Sequence, residues 1–135
     1  MKLEDSVAIA SAGMKVQGVR VRIAAENLAN ASSTGTEPGA EPYRRKTVSF
    51  AERLDRERQL RLVDVHRYGV DRSAFERRFD PTHAAADGDG YVLHPNVSPL
   101  VELMDMREAQ RSYEANLNAV SLTRNLVKQT LDLLK

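Results

Sequence analysis

The sequence predicts a mostly α-helical, elongated subunit in which two long terminal helices pair as an antiparallel coiled coil beside a small β-containing middle segment. Three observations carry that expectation. Near the start, Val7, Ala10, Met14, Gln17, Val21, Ala24 and Leu28 step by alternating threes and fours, and Leu103, Met106, Gln110, Tyr113, Leu117, Val120, Arg124, Val127, Leu131 and Leu134 do the same near the end. That spacing is the seam of a coiled coil. Composition is the third: 41% hydrophobic but only 5% aromatic residues and no Trp leave a supply of Leu, Val and Ala that suits helix seams better than a bulky core. A length of 135 residues fits one modest domain. It divides into an N-terminal helix (1–30), a loop and small β-containing segment (31–98) and a C-terminal helix (99–135), the two helices forming one helical core domain.

The first helix is expected over about residues 6 to 30, capped by Asp5 or Ser6 and roughly 36 Å long at 1.5 Å per residue. It closes on "AENLANASSTG", residues 25–35, where Asn27 and Asn30 stand in place of better helix formers. Each Asn costs up to about 0.7 kcal/mol relative to Ala in a helix interior. Two readings account for them. A carboxamide can donate and accept across a packed interface and fix its register. Alternatively, Asn30 is a left-handed C-cap and Asn27 lies exposed in the last turn.

Residues 31–42, "ASSTGTEPGAEP", carry two Gly and two Pro among small polar residues and read as a loop or disordered segment. "RRKTVSF" and "RQLRLVDVHRY" follow as short strands, and "DPTHAAADGDG" as another loop. The second helix is well marked at its start: Ser98 can cap, Pro99 takes the first helical position, and Glu102 lies near the positive end of the dipole. Running from 99 to about 134, it would be roughly 54 Å long, more than a domain of this size can cover. Much of its apolar stripe must meet something else.

Composition and spacing argue against several chemistries. Twenty basic and 19 acidic residues give a net charge of +1, so no global pull toward nucleic acid or membrane is expected. Residues 43–79 are locally basic, but acids are interleaved with the arginines, and "RRK" at 44–46 reads as a solvated face. His66, His83 and His94 lack zinc-site spacing, and "DGDG" at 87–90 lacks the Glu that a calcium loop needs at its twelfth position, which is Ser98. No metal and no cofactor are expected. Neither a nucleophile elbow nor a phosphate-binding glycine loop is present, so no catalytic residue is expected and the chain reads as a non-enzyme. The apolar run at Val7–Ala10 is too short for a signal core or a membrane span, so the chain is expected to be cytosolic or to leave the cytosol by a route that reads no cleaved signal, with no membrane insertion.

Two stretches, "AENLANASSTG" and "GYVLHPNVSPLVELMDMREAQRSYEANLNAV" (residues 90–120), together resemble the bacterial flagellar axial proteins, specifically the basal-body rod proteins. The matching positions are Asn27, Leu28, Ala29 and Asn30 at one end, with Gly90, Tyr91, Val92, Pro95, Asn96, Val97, Tyr113, Glu114, Ala115 and Asn116 at the other. The resemblance implies a structural subunit exported by the flagellar type III apparatus without a cleaved signal. It implies a place in the rod of the basal body, in the periplasmic space, with other rod subunits and basal-body proteins as partners. Together with the seams it marks an assembly interface at Met14, Gln17, Val21, Asn27, Leu28, Asn30, Pro95, Asn96, Met106, Tyr113, Asn116, Leu117, Val120, Val127, Leu131 and Leu134. From the seams alone, a soluble coiled-coil adaptor that binds a single partner is the competing expectation.

Overall fold

The computed structural model describes residues 2–134. Its elements run α1 (Leu3–Ala29), β1 (Lys46–Asp55), β2 (Leu60–Val70), β3 (Glu76–Phe79), β4 (Tyr91–His94) and α2 (Pro99–Asp132). The expected mostly helical chain with a β-containing middle is what is found. Helix α1 starts three residues earlier than expected. The Lys2 backbone N–H donates to the Asp5 carboxylate at 2.7 Å, so an acid in the first turn satisfies a donor just outside the helix, as in a capping box. Glu4 and Asp5 in α1, and Glu102 in α2, also complement the positive ends of the helix dipoles.

Two compact units share these elements. The first holds the residues up to Val21, Val48–Arg67 and the residues from Arg107 on; the second holds Arg22–Thr47 and Tyr68–Met106. In the first unit α1 and α2 lie side by side and run in opposite directions. A Cβ on Gly13 would sit 2.8 Å from Asn116 Nδ2, and seven residues further along α1 Arg20 meets Glu108, eight residues earlier on α2, at 3.7 Å. The buried side chains there are Ala10, Val16, Ala109, Val120 and Thr123. This inner face keeps Ala10 and Val120 of the heptad seams and otherwise lies one residue before them, at Gly13, Val16, Ala109 and Thr123, and it is built mostly from small residues. Gly13 and Ala109 let two backbones approach where the longer neighbours Met14 and Gln110 could not. Met14, Gln17, Val21 and Met106 are only half-buried, and Tyr113, Leu117, Val127, Leu131 and Leu134 are exposed. The Gln17 Oε1 atom is buried without a hydrogen-bond partner among the described residues.

Strands β1 and β2 are neighbours in a two-stranded sheet, and the four-residue link 56–59 permits only a hairpin. Asp55 shapes the turn, accepting from the Glu57 and Arg58 N–H groups at 3.1 and 3.2 Å. Gln59 closes it at φ 56°, in the left-handed region that disfavours a side chain. In the second unit β3 and β4 pair antiparallel, with Glu76 opposite His94 and Phe79 opposite Tyr91. Both strands lie outside the expected strands, which a four-residue run of ERRF or YVLH cannot signal by period alone. Their loop folds on Asp87, which accepts the Asp89 and Tyr91 N–H groups, both at 2.9 Å. Gly90, at φ 83°, is packed so closely that a Cβ would lie 2.9 Å from the Phe79 ring. Val92 and Ala85 are the buried apolar residues of this sheet and loop, and the Phe79 and Tyr91 rings meet edge-on at 5.4 Å.

Four aspartates, three at turns or in loops and Asp64 in β2, titrate below the ordinary value of 3.8. The Arg58 N–H lowers Asp55, the Val65 N–H lowers Asp64, the Ser73 N–H lowers Asp71 and the Tyr91 N–H lowers Asp87, each as the leading cause. A depressed folded-state value means that the unfolded chain binds more protons as the pH drops. Their contribution is therefore present above that ordinary value and is lost as the pH falls through the lowered ones. Urea midpoints measured from neutral pH down to about pH 3 should accordingly decline on the acid side. For the hairpin, Gln59→Gly should raise stability by about 0.5 to 1 kcal/mol and Gln59→Val should lower it, both read as shifts in thermal midpoint.

Candidate functional site

Asn27 arrives at the last turn of α1 with no exposed surface, and its amide is used in full within the second unit. Its Oδ1 accepts the Tyr43 hydroxyl and the Lys46 backbone N–H, both at 2.8 Å; its Nδ2 donates to the Lys46 carbonyl at 2.9 Å and to Glu102 Oε2 at 3.3 Å. The carboxamide thus pairs with a peptide unit as a neighbouring strand would. It fixes the first residue of β1 against the end of α1, and α2 joins through Glu102. The residue is therefore not exposed in the last turn, and its amide is turned inward on its own chain.

Glu102 is 1% exposed and forms an ion pair with the Arg45 Nε. Unpaired, a carboxylate so placed would cost several kcal/mol in desolvation. Arg45 also faces Asp71 at 3.8 Å, while its backbone N–H donates to Asn96 Oδ1 at 2.8 Å. Asn96 Nδ2 in turn donates to the Asp71 and Ser73 carbonyls and to the Ser73 hydroxyl at 3.0 to 3.3 Å. Like Asn27, Asn96 therefore serves its own chain, and Pro95 beside it is buried. Asn30 folds back on α1, its Nδ2 donating to the Glu26 carbonyl at 2.9 Å and its Oδ1 accepting the Ser33 hydroxyl at 3.1 Å. Its φ is not positive, so it is not a left-handed cap. Leu28 and Asn116 are half-buried, the latter bonded to the Ser112 carbonyl at 2.9 Å.

The basic run at 44–46 is not a solvated face. Arg44 donates to the Asp71 and Ser73 carbonyls and lies 4.2 Å from the Phe75 ring centroid, Arg45 neutralises Glu102, and Lys46 Nζ meets Glu26 Oε1 at 2.6 Å. Sequence reasoning missed Tyr43, Arg45, Lys46 and Glu102 as a group because their partners lie 16 to 75 residues away. Burial pushes the Tyr43 phenol up against the opposing pull of Lys46, and the Glu26 hydrogen bond raises Lys46. The hydroxyl and the ammonium both stay protonated at neutral pH. A cluster so fully paired has no group free to act on a substrate. What it does is hold three chain segments in one geometry.

Exposed apolar surface lies elsewhere, along α2. Leu131 and Leu134 are 56% and 78% exposed, and Leu117, Leu122, Leu126 and Leu133 are also open. These leucines leave more than one face of the helix end apolar and open to solvent. No group of His, Asp and Glu among the described residues could hold a metal ion. Replacing Asn27 with Ala strands the Tyr43 hydroxyl, both Lys46 peptide groups and one side of Glu102; at about 1 to 3 kcal/mol per unsatisfied buried group, the chain should lose about 3 kcal/mol or more by chemical denaturation. Asn27→Asp should cost at least as much, since it aims a second carboxylate at Glu102.

A family model described as Flagellar basal body rod FlgEFG protein C-terminal matches residues 89–133, which contain α2 and β4. The chain is 54% identical over 127 residues to the flagellar basal-body rod protein FlgC of Agrobacterium fabrum, covering 94% of this chain and 91% of that protein. It is 34% identical over 133 residues to the FlgC of Yersinia enterocolitica, 98% of each, and 32% identical over 143 residues to that of Bacillus subtilis, 95% of each. With that identity sustained along almost the whole of both chains, this chain belongs to the flagellar basal-body rod protein FlgC family.

Proposed function

We propose that this chain is a structural, non-enzymatic subunit of the proximal rod, polymerising through its terminal helices into part of the drive shaft that carries torque from motor to hook. Its helices pair as an antiparallel coiled coil. The chain reaches the periplasmic part of the basal body through the flagellar export apparatus, without a cleaved signal, and its partners there are other rod subunits. Family membership supports the rod; no helix of the described residues is long and apolar enough to cross a membrane.

One observation carries the assembly role: α2 is too long for α1. With Gly13 against Asn116 and the helices antiparallel, Leu3 at the start of α1 falls beside about residue 126 of α2, since both rise about 1.5 Å per residue. The six helical residues from Val127 to Asp132, and the leucines at 133 and 134, have no stretch of α1 to lie against. Their seam residues Val127, Leu131 and Leu134, with Tyr113 and Leu117 further back, are the part of the expected interface that is exposed, and intersubunit packing is the role we give them. The inward residues Asn27, Pro95, Asn96 and Val120 contribute by fixing the geometry of the surface.

Leu131→Ser with Leu134→Ser should leave helicity and solubility of the isolated chain nearly unchanged. Burying one Leu is worth about 1.5 to 3 kcal/mol, so subunit addition should weaken by about 3 kcal/mol or more. Cells carrying the pair should export the protein yet complete no rod, as seen by microscopy of basal bodies. Normal swimming would remove α2 from the interface.

A further inference from the structure

In the second unit, His83 stands in the loop between β3 and β4 with both nitrogens of its ring engaged. Its Nδ1 accepts the Ala85 backbone N–H at 3.0 Å, as an Asn or Asp oxygen does when it shapes a turn two residues on. A ring nitrogen that accepts carries no proton, so the ring is neutral and its one proton sits on Nε2. Nε2 donates in turn to the Thr34 hydroxyl at 3.2 Å, on the loop that follows α1. The backbone offers no substitute. The His83 N–H goes to the Asp80 carbonyl and the Ala86 N–H to the His83 carbonyl, while the Ala85 N–H has no other acceptor among the described residues and Ala85 is buried. Every other polar contact of loop 31–42 among those residues goes to a partner within residues 28–44, so the ring is its one polar tie to loop 80–90.

We propose that His83 is a proton-sensitive latch, which joins loop 31–42 to loop 80–90 while its ring is neutral and releases both when the ring is protonated. An imidazolium carries N–H donors on both nitrogens. Nδ1 then meets the Ala85 N–H donor to donor, and the ring must turn away from a buried amide that nothing else satisfies. Turning the ring also takes Nε2 off Thr34, so the loop after α1 is freed in the same step. No neighbouring charge compensates. On its own loop the Asp80 carboxylate accepts from Thr82, and that of Asp87 from Arg77 and from the Asp89 and Tyr91 N–H groups; on the other loop Glu41 meets Arg44. Asp89 and Glu37 are exposed, His94 lies opposite Glu76 in the sheet, and among the described residues no carboxylate is within ion-pairing distance of the His83 ring.

Two substitutions separate the ring nitrogens, since an Asn amide oxygen takes the place of Nδ1 and a Gln amide nitrogen that of Nε2. NMR of the full chain from about pH 7.5 down to about pH 5 spans the range in which a histidine takes its proton. At the upper pH the imidazole nitrogen spectrum should show the proton on Nε2. Backbone order parameters of residues 34–41 should fall from about 0.85 to below about 0.6 at the lower pH, while those of Asn27 and Lys46 hold. His83→Asn, which keeps the Ala85 bond, and His83→Gln, which keeps the Thr34 bond, should both lose the pH step. A proton on Nδ1 at the upper pH, or order parameters in the native chain that do not change, would overturn the latch, and neither reading depends on a variant folding. So would a step that survives in either variant, which would move the sensor to another group, or equal loosening at Asn27 and Lys46, which would make it general acid unfolding.

Discussion

A single carboxamide that imitates a peptide bond holds the second unit together. Asn27 accepts from and donates to the Lys46 peptide, so the end of a helix meets the start of a strand through the same pairing that would join two strands. Tyr43 and Glu102 complete its four bonds, and Arg45 supplies the charge that lets Glu102 stay buried. Because the network is fully paired, its low-dielectric setting strengthens it rather than penalising it. The propensity cost of Asn in α1 is small against that gain. With those segments fixed, the Asn96 and Asp71 contacts follow, since both are reached through Arg45.

Helix pairing and helix exposure then divide the labour along α2. One face, carrying Ala109, Asn116 and Val120, is small or polar and fits closely against Gly13 and its neighbours. The large side chains point elsewhere. A chain that had only to fold would bury its leucines, since apolar burial is the main favourable term available to it. Leaving them open lowers the stability of the isolated chain and, in the assembly role proposed for them, keeps that free energy for association.

The long helices were legible because steps of three and four sustained over many residues match the turn of a helix and clash with the two-residue period of a strand, and Pro99 and Ser98 marked where α2 begins. The phase of the buried face was not. Heptad spacing follows large apolar residues, and here Gly13 approaches Asn116 closely and Ala109 is fully buried, so much of the inner seam lies one position before the conspicuous one, with only Ala10 and Val120 of the paired region shared. Asn27 was conspicuous, but its partners were invisible: Lys46 presents backbone atoms that every residue has, and Glu102 looked sufficient as a helix-dipole acid. The arginines at 44 and 45 resembled a solvated charge run because sequence shows the alternation of charges and not the distant carboxylate that neutralises one of them. Short strands β3 and β4 have too few residues to show a period, and their pairing depends on the turn at Asp87 and Gly90.

The central claim is that the outer face and far end of α2 are completed by other subunits, while the Asn27 network is complete within the chain. Hydrogen exchange on the backbone of residues 122–134 and 27–46, compared between the dilute chain and assembled basal bodies, measures that directly. The account predicts rapid exchange at 122–134 in the dilute chain, strong protection there after assembly, and protection around Asn27 and Lys46 that assembly hardly changes. Equal protection of 122–134 in both states, or protection around Asn27 that appears only on assembly, would contradict it.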